Sequence, residues 1–158
     1  MFRKLLGTKS LCMSAVIAAL YAALTLLLAP ISYGSIQCRI SEALTLLPIV
    51  TPTAIPGLFV GCILANILGG CSVWDIVFGS LATLLAACGT YALRKKTLLA
   101  ALCPVAANGV IVGAVLSAVW GLPLWLTMAE VAIGETGAVL IGCALLPAVK
   151  KVDLNRFL

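Results

Sequence analysis

Histidine is absent from this chain, and only five of its 158 residues are acidic. Without histidine there is no imidazole base, no Ser-His or Cys-His nucleophile pair and no Cys/His zinc site. The seven cysteines (Cys12, Cys38, Cys62, Cys71, Cys88, Cys103 and Cys143) form no C-x-x-C pair. That removes the usual thiolate metal and redox motifs and leaves them reading as small buried apolar residues. No glycine-rich nucleotide loop is present, so the chain cannot by itself draw on ATP. Charged residues make up 9% of the chain, against roughly 25% in soluble domains. That is too little polar surface to coat a soluble globule.

What is present is apolar. Hydrophobic residues make up 63% of the chain, and the mean hydropathy is +1.23. A spanning helix needs about 20 apolar residues. Four stretches qualify: Ser10–Ala29, Trp74–Leu93, Leu98–Val119 and Leu124–Pro147. The first resembles a signal peptide in its basic flank, but its apolar run exceeds the roughly 7–15 residues of a signal core. It reads as a retained helix. Two shorter stretches, Cys38–Val50 and Ala54–Leu68, flank Thr51-Pro52-Thr53, where proline disfavours a continuing helix. Two short crossings there bring the total to six; a re-entrant pair leaves the same parity, and the uncharged turn does not separate the two. The preferred expectation is an all-α, polytopic six-helix membrane bundle, with residues 1–158 as one domain.

The net charge of +5 is not a nucleic-acid signature, because the basic residues cluster at the edges of apolar runs. Arg3, Lys4, Lys9, Arg94, Lys95, Lys96, Lys150, Lys151 and Arg156 fall on one side, and Arg39 is the exception. The positive-inside rule makes that side, with both termini, cytoplasmic at the cell membrane. Trp74, Trp120 and Trp125 fall at the opposite boundary, as an aromatic belt does.

Small residues four apart mark helix contact faces in lipid. Gly57, Gly61 and Ala65 form one, and Gly109, Gly113 and Ser117 another. The first helix carries two adjacent rows, Ser14/Ala18/Ala22 and Ala15/Ala19/Ala23. This strip suits packing inside the bundle or docking on another membrane protein.

Intramembrane acids cost about 2.5–3.5 kcal/mol each at the bilayer centre, so they want a reason. Glu42, Asp75, Glu130 and Glu135 all belong to predicted crossings. Arg39, Asn66 and Asn108 join them, mostly in the outer half, where the interior can form an outward cup. Arg39 and Glu42 are helical neighbours and can pair internally. Glu130 and Glu135 are about 140° apart around a helix, so they cannot share one narrow face. Carboxylates accept only, so such a cup suits a cationic or N–H-rich ligand and not an anion.

The run Tyr33-Gly34-Ser35-Ile36-Gln37-Cys38-Arg39-Ile40-Ser41-Glu42-Ala43-Leu44 resembles the QueT family. So do Pro48, Pro56-Gly57-Leu58, Gly61-Cys62, Ala65-Asn66 and Asp75-Ile76-Val77-Phe78-Gly79-Ser80-Leu81-Ala82-Thr83. Members are substrate-binding S components of energy-coupling-factor (ECF) transporters. The resemblance implies a six-helix, non-enzymatic subunit, with no cofactor, that captures a queuosine precursor. Candidates are 7-aminomethyl-7-deazaguanine, its 7-cyano analogue and queuine. It also implies a transmembrane coupling protein, EcfT, and two cytoplasmic ATPases as partners, with Ser14, Ala15, Ala18, Ala19, Ala22 and Ala23 docking on EcfT. For such a ligand, Glu42 or Glu130 is expected at the base edge, with Asp75 or Glu135 assisting. Arg39, Gln37, Asn66 or Asn108 would meet its carbonyl, and Tyr33, Trp74 or Trp125 would stack on it. The Pro30–Ile36 loop is a candidate lid. An autonomous carrier using Glu130 or Glu135 as a proton site is the alternative; an intramembrane enzyme and a purely structural subunit are remoter ones.

Overall fold

The computed structural model describes residues 7–33 and 38–152. Seven helices and no strand occur among them. The segments are α1 (Thr8–Leu27), the single turn α2 (Ala29–Ser32), α3 (Ile40–Ile49), α4 (Ala54–Leu68), α5 (Asp75–Ala92), α6 (Thr97–Trp120) and α7 (Leu124–Lys151). Four of these, α1, α5, α6 and α7, are long and apolar enough to cross a membrane. Each extends over one of the four long apolar runs, and α6 and α7 continue through Pro104 and Pro147. The chain is a multi-pass membrane protein.

The two shorter stretches are helices of 10 and 15 residues. α3 is wound as a 3₁₀ helix with Pro48 inside it. At roughly 2.0 Å per residue it extends about 20 Å, and α4 at 1.5 Å per residue about 22 Å. Either is shorter than the roughly 30 Å hydrocarbon core. α5 opens with a π-helical turn, Asp75–Gly79. Such turns interrupt the regular ladder and shift the register of side chains beyond them.

Successive contacts run α1–α4–α5–α6–α7–α3 and back to α1, and α3 touches all five of the others. Small residues set the close approaches. A methyl on Gly57 would sit 2.6 Å from the Ser14 carbonyl oxygen, and one on Gly61 would sit 2.8 Å from Tyr21 Cβ. α4 therefore packs on the Ser14/Ala18/Ala22 row of α1, whose members are buried. A methyl on Gly113 would sit 2.7 Å from Met128 Cα, which brings α6 equally close to α7. Gly142 of α7 makes the same kind of contact with the Ala43 carbonyl of α3, at 2.6 Å. The Ala15/Ala19/Ala23 row of α1 faces outward and is exposed. The two rows of one alanine strip thus have different surroundings.

Candidate functional site

The polar residues converge where α3 meets α1, α5, α6 and α7. Arg39 precedes the first turn of α3, and Glu42 N–H donates to the Arg39 carbonyl at 2.9 Å. In a 3₁₀ helix residues three apart eclipse, so Arg39 and Glu42 share one edge. Arg39, Glu42, Asn108, Val112, Val131 and Glu135 line a cavity of about 10 Å³. Glu42, Asn108 and Glu135 are 2%, 3% and 3% exposed. The Asn108 amide lies within interaction range of both carboxylates. The Arg39 guanidinium lies 5.5 Å from the Tyr33 ring centroid, a cation–π distance.

Glu42 is held from two sides. Its Oε1 accepts from the Tyr21 hydroxyl of α1 and, at 3.2 Å, from Thr83 Oγ1 of α5. Its Oε2 has no protein partner. Thr25 Oγ1, one turn beyond Tyr21, donates to Ser41 Oγ at 2.7 Å and ties α1 to α3 again.

A larger cavity of about 460 Å³ lies at the end of the bundle that carries the three tryptophans. Tyr33, Gly69, Cys71, Asp75, Trp120 and Thr127 are among the residues that line it. That volume falls in the usual range for small-molecule sites. Its wall includes Leu116 and Thr127; Val112 and Val131 of the small cavity stand four residues further along the same helices. The small cavity therefore lies about one helical turn, roughly 6 Å, deeper than the larger one.

Asp75 stands at the rim in a reciprocal cap. Its N–H donates to Ser72 Oγ at 3.2 Å, and the Ser72 hydroxyl donates to Asp75 Oδ2 at 2.8 Å. This pairing satisfies an orphan N–H of the helix start. Oδ1 of Asp75 is buried without a partner. Asn66 Nδ2 donates to the Asp75 carbonyl at 3.2 Å, and Asn66 Oδ1 is likewise unpartnered.

Among the described residues, five buried acceptor oxygens therefore lack donors: Glu42 Oε2, Asn66 Oδ1, Asp75 Oδ1, Asn108 Oδ1 and Glu135 Oε1. Arg39 Nε is the unpartnered donor among them, and the hydroxyls of Ser32 and Ser80 complete the set. Leaving such groups unmet costs about 1–3 kcal/mol each, so their concentration in one region is a binding-site signature.

Among the residues singled out from sequence, the structure brings Tyr33, Arg39, Glu42, Asp75, Asn108 and Glu135 to the lining of the two cavities, with Asn66 buried behind Asp75 and bonded to its carbonyl. It places Trp74 and Glu130 elsewhere. Trp74 is 61% exposed and stacks on Phe78 at 5.9 Å, on the outer groove between α5 and α6. Trp120, not Trp74, supplies the tryptophan of the larger cavity, because α5 turns position 74 outward while α6 ends over the opening. Trp125 is exposed. Glu130 is half-buried and lines neither cavity, while Glu135, about 140° around α7, points inward. Gln37 and positions 34–36 of the candidate lid lie outside the described residues; Ala29–Ser32 is a helical turn. The sequence reading passed over Tyr21 and Thr83. A hydroxyl inside an apolar membrane helix must find a partner, and that was the available signal.

The sequence profile of the QueT transporter family matches residues 11–151. The chain belongs to the QueT transporter family. A 72-residue stretch is 40% identical to the "Queuosine precursor transporter QueT" of Lactococcus lactis subsp. cremoris (strain MG1363). That alignment spans 44% of this chain and 42% of the relative's length. No solved structure matches. QueT membership is in keeping with a site inside a helical membrane bundle and with the costly polar groups gathered there.

Proposed function

We propose that this QueT-family chain is the substrate-binding S component of an ECF importer, and that it captures a queuosine precursor of the 7-deazaguanine class. The observation that carries the reading is the set of five unpartnered, buried acceptor oxygens beside a cavity of about 460 Å³. A 7-deazaguanine presents N1–H, an exocyclic amine and a pyrrole N–H, and a carboxylate matches two parallel N–H donors. Asp75 and Asn66 receive the base edge in the larger cavity. Tyr33 and Trp120 flank the planar ring, and Arg39 or Ser32 supplies a donor to its carbonyl oxygen.

In this reading the chain crosses the membrane six times, with α3 and α4 as short crossings and both termini cytoplasmic. The tryptophan end faces outward, so the larger cavity receives ligand from outside. The exposed Ala15/Ala19/Ala23 row docks on EcfT, and two cytoplasmic ATPases supply the work. The buried Ser14/Ala18/Ala22 row serves the bundle instead. Delivery follows from tilting of the loaded bundle against the coupling protein.

The test is uptake in cells that carry this chain with and without the ATPase module. Accumulation of a labelled 7-deazaguanine only with the module supports the S-component reading. Equal uptake without it contradicts that reading and favours an autonomous carrier.

A further inference from the structure

The small cavity beneath the larger one has a charge balance of its own. Two carboxylates, Glu42 and Glu135, and one guanidinium, Arg39, line it. All three side chains are at least nine-tenths buried. With all three ionised, the lining carries one net negative charge in surroundings where an uncompensated charge is costly. Three of its polar atoms, Glu42 Oε2, Asn108 Oδ1 and Glu135 Oε1, are acceptors without a partner. The guanidinium is turned toward the Tyr33 ring at 5.5 Å. The space of about 10 Å³ admits a single group about the size of a water molecule.

We infer that this cavity is a subsite for a primary ammonium group carried on a short arm of the ligand, held by Glu42, Glu135 and Asn108. An ammonium has three N–H donors in a compact tetrahedral head, which is the number of unpartnered acceptors present. Its single positive charge brings the lining to neutrality. The subsite lining begins about one helical turn deeper than the wall of the larger cavity, so a short arm from a planar ring seated at the floor of that cavity would enter it between α6 and α7. Tyr21 and Thr83 hold Oε1 of Glu42 and leave Oε2 free for the amine.

The inference rests on the proposed 7-deazaguanine reading and adds selectivity to it. The uncharged 7-cyano group places an acceptor nitrogen against three acceptors, which is repulsive. The 7-aminomethyl group satisfies all three. Selectivity of this kind comes as much from the penalty on the wrong group as from the fit of the right one.

Calorimetry on the purified wild-type protein, with the 7-aminomethyl compound, its N-acetyl derivative and the 7-cyano compound, tests the subsite. The aminomethyl compound is expected to bind about 100-fold more tightly than either neutral compound, the scale of one buried charge pair. Glu135→Gln is expected to reduce that preference to within about threefold, chiefly by weakening the aminomethyl compound. Equal affinity of the wild type for all three compounds overturns the subsite and leaves the 7-deazaguanine reading standing. Absence of binding by any of them, with an intact thermal transition, overturns both. The comparison with the slender cyano compound needs no variant, so it tests the subsite even if Glu135→Gln fails to fold. Titration with sodium and potassium chloride addresses an inorganic occupant. Sodium-specific tightening of cyano binding would mean that a metal cation fills the cavity, which also overturns the inference.

Discussion

Tyr21 on α1 donates its hydroxyl hydrogen to Glu42 Oε1 on α3, and both side chains are almost wholly buried. This bond crosses from the helix with the exposed alanine row to the helix that carries the site's central carboxylate. Tyr21→Phe removes the donor and little else. It should cost about 1–3 kcal/mol of stability, the usual penalty for unpairing a buried polar group. It should also weaken ligand binding, because Oε1 then competes for the donors meant for Oε2. If Tyr21 acts through Glu42, the loss in affinity should vanish in a Glu42→Gln background. Calorimetry on the two single variants and the double variant reads this directly; additive losses would show that the two residues act independently.

The two rows of the α1 alanine strip should behave oppositely. Ala19 is exposed and Ala18 is 4% exposed beneath Gly61 of α4. Ala19→Trp should leave ligand affinity within about twofold, since exposed positions away from special features are nearly neutral, and should abolish uptake. Ala18→Leu overpacks a tight contact and should lower stability by about 1–3 kcal/mol. Uptake and thermal melts on both variants separate the rows. Uptake surviving in Ala19→Trp would remove the docking proposal.

Much of this arrangement was legible in the sequence, for a physical reason. Long apolar runs have few alternatives to a spanning helix, so α1, α5, α6 and α7 announce themselves. Charges inside such runs are expensive, so Arg39, Glu42, Asn108 and Glu135 stand out without any contact information. Rotation about a helix axis was harder to read. These helices are apolar nearly all round, and no amphipathic stripe tells Glu135 from Glu130 or Trp120 from Trp74. The winding of Ile40–Ile49 into a 3₁₀ helix and the π turn at Asp75–Gly79 have no local signal either. Both depend on how α3 and α5 pack against their neighbours. Tyr21 and Thr83 escaped because hydroxyls in apolar helices can meet carbonyls of their own helix, as Thr25 does at Tyr21 and Thr83 at Gly79, so the sequence does not tell which of them also reach across to a neighbour.

Asp75 and Glu130 provide a matched comparison near the same end of the bundle. Asp75 Oδ1 is buried and unpartnered at the larger cavity, whereas Glu130 is half-buried away from it. Asp75→Asn should weaken binding by about tenfold or more, the scale of one charge-assisted hydrogen bond. Glu130→Gln should change it by less than about twofold. The reverse order would place the base edge against α7 instead of α5.

Cys71 offers a chemical reporter. It is half-buried in the wall of the larger cavity, and burial pushes its thiol above the ordinary cysteine range. The neutral thiol therefore dominates at pH 7, and the reactive thiolate grows as pH rises toward the raised value. Maleimide labelling at Cys71, located by peptide mass spectrometry, should be slow at pH 7 and accelerate about tenfold per pH unit above it. Saturating ligand should suppress it. Labelling that ignores ligand would indicate that the larger cavity is not the binding chamber.

The central claim is that the unpartnered acceptors around Glu42 and Asp75 exist to hold a 7-deazaguanine. The most direct test is calorimetric titration of the purified chain alone, without any coupling protein, with a 7-deazaguanine queuosine precursor and with guanine. The account predicts nanomolar binding of the precursor and much weaker binding of guanine, whose N7 acceptor replaces both the pyrrole carbon and its substituent arm. Equal affinity for the two, or no binding of either by a well-folded preparation, would contradict it.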